Sequence, residues 1–133
     1  MIKIEHIGIA VKDLGASNEL FRKLLGRALY KEESVESEAV KTSFFEIGES
    51  KVELLEAMSQ NSAIAKYLEK NREGIHHIAF AVDDMEKEIQ RLKNEGFQFI
   101  SETPKAGADN KMVVFLHPKS TNGVLVELCC DQK

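Results

Sequence analysis

The stretches IEHIGIAVKD, residues 4–13, and IHHIAFAVDD, residues 75–84, are one pattern written twice. Aligned without a gap they agree at Ile4/Ile75, His6/His77, Ile7/Ile78, Ala10/Ala81, Val11/Val82 and Asp13/Asp84, six of ten positions at a spacing of 71. Such self-similarity points to two related halves, and a repeat decides how everything around it is read. Each copy has the apolar run of a buried strand, whose side chains alternate between two faces. His6, Gly8 and Ala10 then share one face and Ile7, Ile9 and Val11 the other, and His77, Ala79 and Ala81 against Ile78, Phe80 and Val82 repeat the division. His76 falls on the bulky face, near the strand end. A close-packed interior leaves no row of Gly and Ala unless other side chains fill it, so the small faces suggest a cavity topped by two histidines.

The segments C-terminal to the two copies agree as well. Asp13 and Asp84 are placed to cap helices, LGASNELFRKLLG and MEKEIQRLKNEG. The first presents Leu20, Phe21, Leu24 and Leu25 as its apolar stripe and stops at Gly26; the second presents Met85, Ile89 and Leu92 and stops at Gly96. Three strand-like runs complete each half: LYKEESV, KTSFFEI and KVELLEA in the first, FQFIS, KMVVFLH and GVLVELC in the second. Residues 58–74 connect the halves through a short helix that Asn61 or Ser62 can cap, with Ile64, Ala65 and Leu68 inward. The fold class is therefore α+β: a single domain over 1–133, with two tandem β-α-β-β-β modules, about 1–57 and 75–133, whose curved sheets pair around a ligand site.

Composition bounds the rest. A chain of 133 residues with 43% hydrophobic and 30% charged residues suits one globular domain. Glu5, His6 and Asp13 interrupt the apolar N-terminus, which gives no signal-peptide core and no membrane span, so a cytoplasmic protein is expected. A net charge of −4 argues against a nucleic-acid partner. Cys129 and Cys130 are adjacent, poorly placed for a mutual disulfide, and read as reduced packing residues.

The closing strands share a V-E-L core, placing Glu53 between Val52 and Leu54 and Glu127 between Val126 and Leu128. A mid-strand carboxylate bracketed by apolar residues is costly to bury unless paired, protonated or bound to a cation. A lone strand histidine is more often a hydrogen-bonded core residue, and a lone VEL more often an edge strand. Repetition of both features at matching positions favours a metal set of two imidazoles and two carboxylates. Such donors suit cobalt, nickel, manganese or zinc with open positions for substrate oxygens. Chelating a carbonyl there would stabilise an enolate, with a glutamate as base. His117 and the run KEESVESE read as turn and solvated loop.

HIGIAV at 6–11, VELLEA at 52–57, SAIAKYL at 62–68, GIHHIAFAVDD at 74–84, PKAGADN at 104–110 and FLHPKSTNGVLVEL at 115–128 resemble the methylmalonyl-CoA epimerases of the vicinal oxygen chelate superfamily. The resemblance runs over nearly the whole chain. It implies that His6, His77 and Glu127 ligate a divalent metal, cobalt foremost, with Glu53 at the fourth position, where some epimerases have glutamine. It implies that Glu127 is catalytic, moving the C2 proton of a CoA thioester on one face. A second base is implied on a strand of the first half, where a register shift of a few residues selects Lys41, Thr42 or neither, and the assignment stays open. Lys105 and Lys119, by charge and loop position, are candidates for the CoA phosphates. A homodimer is usual in the superfamily and is expected. The rivals are a lactoylglutathione lyase, acting on a glutathione hemithioacetal, and a metal-free small-molecule-binding resistance protein.

Overall fold

Both copies of the repeat fold as a strand followed by a helix capped by the predicted aspartate. In the computed structural model, which describes residues 1–132, β1 spans Lys3–Ala10 and α1 Leu14–Leu25, and β5 spans Gly74–Ala81 and α3 Met85–Asn94. The Asp13 carboxylate accepts the Ala16 N–H at 3.0 Å and Asp84 accepts that of Lys87 at 3.1 Å, satisfying first-turn donors that the helices themselves leave open. The remaining elements are β2 (Lys31–Val35), β3 (Val40–Ile47), β4 (Ser50–Ala57), α2 (Ala63–Lys70), β6 (Lys105–Ala106), β7 (Lys111–Phe115) and β8 (Val126–Asp131). The repeat extends to the backbone. Val11 N–H reaches Leu55 O, and its counterpart Val82 N–H reaches Cys129 O, each at 2.9 Å.

The chain forms two compact units, Met1–His6 with the chain from His77 onward, and Ile7–His76. In the first the strand order is β1-β5-β8-β7-β6, with β5 parallel to β8 in the register Ala79↔Glu127 and β7 antiparallel to β8 in the register Phe115↔Glu127. Its core lies between α3 and the sheet. Met85, Ile89 and Leu92 pack on Val82, Val114, Leu116 and Leu128, as the helix pattern predicts. In the second unit the order is β2-β3-β4-β1. Here α1 packs Leu14, Phe21 and Leu25 against Val11, Phe45 and Leu54, while α2 packs Ile64, Tyr67 and Leu68 against Ala10, Val40 and Leu55. The Ser62 hydroxyl caps α2 by accepting the Ala65 N–H at 3.1 Å.

Three expectations are corrected. The buried stripe of α1 is Leu14, Phe21 and Leu25, whereas Leu20 and Leu24 are 61% and 70% exposed. At 100° per residue, positions 14, 21 and 25 align, and 20 and 24 lie about a quarter turn away. FQFIS makes one bridge, Phe99↔Leu116, rather than a strand, because the Gln98 N–H that would extend the ladder goes to the Ser120 hydroxyl; the short β6 pairs with β7 instead. The small-residue rows are not left open along their length. Ala10 is covered by Val40, Leu55 and Ile64, and Ala79 by Val113, Cys129 and Phe115, all within their own units. Cys129 is buried and Cys130 half-buried.

Replacing Leu14 with Ala is expected to cost about 2–5 kcal/mol, and replacing Leu24 with Ala less than about 0.5 kcal/mol. Urea unfolding midpoints of the two variants check the stripe; equal losses would contradict it.

Candidate metal centre

Strand alternation brings three predicted side chains together on one face of the first unit. β1 and β5 are neighbours, β5 lies against β8, and His6, His77 and Glu127 are 4%, 6% and 6% exposed. The imidazoles meet edge to face, with Nε2 of one 3.0 Å from Nε2 of the other. Glu127 Oε1 is 3.4 Å from His77 Nε2, and Oε2 is 3.8 Å from His6 Nε2. The Phe115 ring stands edge-on to His77 at 6.0 Å between centroids and, with Ala79, Val113 and Cys129, makes the rest of this face apolar.

Behind His6 stands Glu5, itself 3% exposed, whose Oε1 is 2.9 Å from His6 Nδ1. That distance is a hydrogen bond between the carboxylate and the ring edge opposite the one facing the cluster. The surroundings act on Glu127. Burial pushes its carboxyl up to about 7; the charge of nearby Glu5 adds to the rise, and His6 works against it.

The donor set fits a divalent cation. Two ligand atoms each ~2.1 Å from a shared ion lie about 3.0 Å apart at a right angle and about 3.4 Å apart at the tetrahedral angle. The three candidate ligand atoms lie within 4.8 Å of one another, and the 3.0 and 3.4 Å separations match those values. The carboxylate is aimed at both imidazoles yet makes no close hydrogen bond to either. Two nitrogens and an oxygen, all buried, are ligands for a borderline ion rather than a structural thiolate site.

Glu53 is likewise buried, at 5%, but on β4 of the second unit, opposite Phe44 of β3. By that register Thr42 shares the Glu53 face, and Lys41 faces the other way. Thr42 is 1% exposed with no hydrogen-bond partner for its hydroxyl, whereas Lys41 is exposed with its Nζ 3.3 Å from Glu32. Lys105 and Lys119 are both exposed, and Lys119 borders a shallow cleft with Phe97, Gln98 and Ser120. His117 sits in a turn, its Nδ1 accepting the Lys119 N–H. Sequence reasoning missed Glu5. Its signal was a carboxylate next to a candidate ligand in IEH, but the second copy has His76 at that position, so repetition did not mark it.

Comparison with known proteins adds independent findings. The family model of the Glyoxalase/Bleomycin resistance protein/Dioxygenase superfamily matches residues 5–115. The ethylmalonyl-CoA/methylmalonyl-CoA epimerase of Cereibacter sphaeroides is 41% identical over 128 residues, 95% of this chain and 96% of its own. The mitochondrial methylmalonyl-CoA epimerase of Homo sapiens is 37% identical over 127 residues, 95% of this chain and 72% of its own. Among solved structures, a variant of the Streptomyces coelicolor methylmalonyl-CoA epimerase in complex with 2-nitronate-propionyl-CoA superposes with a TM-score of 0.93 at 35% identity, covering 98% of this chain and 95% of that one.

The Glu127 environment sets a pH dependence for the metal-free protein. With the folded carboxyl raised from 4.5 to about 7, the folded state holds a proton there that the unfolded state has released. Its contribution is therefore full below about 4.5 and is lost as pH rises through about 7, by up to about 3 kcal/mol. In chelator, urea unfolding at pH 5 and pH 8 is expected to show a larger stability loss for the native chain than for Glu127→Gln; an equal loss would contradict the raised carboxyl.

Proposed function

The chain belongs to the Glyoxalase/Bleomycin resistance protein/Dioxygenase superfamily, and from that premise we propose that it is an isomerase, a methylmalonyl-CoA epimerase interconverting the two C2 configurations of its substrate. The observation that carries this reading is the buried carboxylate of Glu127 set against the His6 and His77 imidazoles. The C2 proton of methylmalonyl-CoA lies between a thioester carbonyl and a carboxylate, so its removal leaves a planar delocalised enolate. The nitronate bound by the Streptomyces coelicolor relative is a planar delocalised anion of the same kind.

Glu127 takes the C2 proton on one face, and reprotonation of the planar enolate from the opposite face, by a second group proposed on a strand of the first half, completes the inversion. Burial of Glu127 excludes water and holds its proton affinity near neutrality in the metal-free protein, the range in which a general base is most effective. His6 and His77 supply two imidazole nitrogens and Glu127 a carboxylate oxygen to a divalent ion, cobalt foremost, with nickel, manganese or zinc as alternatives. When bound, that ion supplies positive charge for the enolate oxygen and the substrate carboxylate. Glu53 is proposed as the fourth ligand on the strength of the repeated V-E-L core and its burial. The exposed Lys105 and Lys119 are proposed for the CoA phosphates, the assembly as a homodimer and the location as cytoplasmic. No helix among the described residues is long and apolar enough to cross a membrane.

Proton NMR of methylmalonyl-CoA in deuterium oxide tests the reading. Cobalt-loaded protein is expected to remove the α-proton signal, chelation to stop the exchange, and Glu127→Gln to slow it by about 10²–10⁴-fold. His77→Ala is expected to abolish it through loss of the ion. No exchange with cobalt bound would overturn the epimerase reading and turn attention to the glutathione hemithioacetal.

A further inference from the structure

We infer that Glu5 is a positioning residue for His6: its carboxylate holds the Nδ1 proton and fixes the tautomer whose Nε2 lone pair faces His77 and Glu127. The inference rests on the metal reading proposed above.

Strand alternation points Glu5 to the face opposite His6, the one that carries Ile7 and Ile9 further along β1. An ionised side chain is costly in such a setting. At 3% exposure Glu5 nevertheless turns back along its own strand, and its Oε1 meets the imidazole of the next residue at 2.9 Å. The strand itself does not demand a carboxylate there. The second copy of the repeat has His76 at the equivalent position, half-buried and edge-on to Tyr67 with ring centroids 5.0 Å apart.

Two neutral imidazoles whose Nε2 atoms approach to 3.0 Å can share one hydrogen bond or one ion, depending on where each ring carries its proton. With Nδ1–H committed to Glu5, the His6 proton stays off Nε2. The nitrogen is then available as a ligand without a tautomer change, and the adjacent negative charge raises its basicity. A buried carboxylate behind a ligating histidine is the outer partner that metal sites use to orient the ring.

Glu5→Met and Glu5→Gln test this by three readouts. Titration of chelator-treated protein with cobalt(II), followed by visible absorption, is expected to show affinity falling about 10–100-fold in Glu5→Met and by less in Glu5→Gln, which keeps an acceptor without the charge. Nitrogen-15 spectra of the metal-free protein are expected to show His6 as the Nδ1–H tautomer in the native chain and as a mixture in Glu5→Met. Urea unfolding of the metal-free protein is expected to show a lower midpoint for Glu5→Met, which leaves the buried His6 Nδ1 without its carboxylate partner, and a smaller change for Glu5→Gln, which keeps an acceptor. A merely structural glutamate would lower stability in the same way but leave the tautomer and the cobalt affinity unmoved. Unchanged cobalt affinity and an unchanged tautomer in both variants would overturn the inference, and should Glu5→Met fail to fold, Glu5→Gln decides alone. A native chain that binds no cobalt would overturn the metal reading, and the tautomer spectra would then decide the role of Glu5 separately.

Discussion

Two imidazole nitrogens 3.0 Å apart, with a carboxylate beside them and water excluded from all three, form the constraint on which the rest of the site depends. Left alone, the two Nε2 atoms stand at hydrogen-bond distance, and burial holds the Glu127 carboxyl near neutrality instead of in the usual carboxylate range. A divalent cation would resolve the same arrangement by accepting all three lone pairs at once. Burial raises the carboxyl and a bound cation would lower it, so loading would change the protonation of the site.

The fold supplies this arrangement by placing the start of β1 beside β5. Met1–His6 belongs with the unit that contains His77 and Glu127, the Ile2 N–H bonds to Ala81 O at 2.9 Å, and the Ala79↔Glu127 register of β5 and β8 fixes where the carboxylate stands. Each of these is a backbone constraint. The side chains that surround the cluster, Phe115, Val113 and Cys129, are apolar, which keeps the dielectric low and strengthens charge interactions within it. Repetition therefore supplies the two histidines, while the order of strands in the first unit brings Glu127 to them.

Much of this was legible because the sequence states it twice. The capping aspartates, the paired histidines and the two V-E-L glutamates recur at matching places, and the structure buries His6, His77, Glu53 and Glu127. The features that were not legible depend on partners distant in sequence. Leu20, Phe21, Leu24 and Leu25 span more than one helix face, and the position of Leu14 decides which of them meets the sheet. The Ala10 row looked open until Ile64 of α2 covered it, and FQFIS looked like a strand until the Ser120 hydroxyl claimed the Gln98 N–H. Glu5 escaped notice because alternation alone sends it to the face opposite His6. Only its rotamer brings it back.

X-ray absorption spectroscopy of the cobalt-loaded protein tests the central claim most directly, because it counts imidazoles on the ion without reference to turnover. The account predicts two imidazole ligands in the native chain and one in His77→Ala wherever that variant retains cobalt. A shell of oxygens without imidazole, or a count that His77→Ala leaves at two, would contradict it.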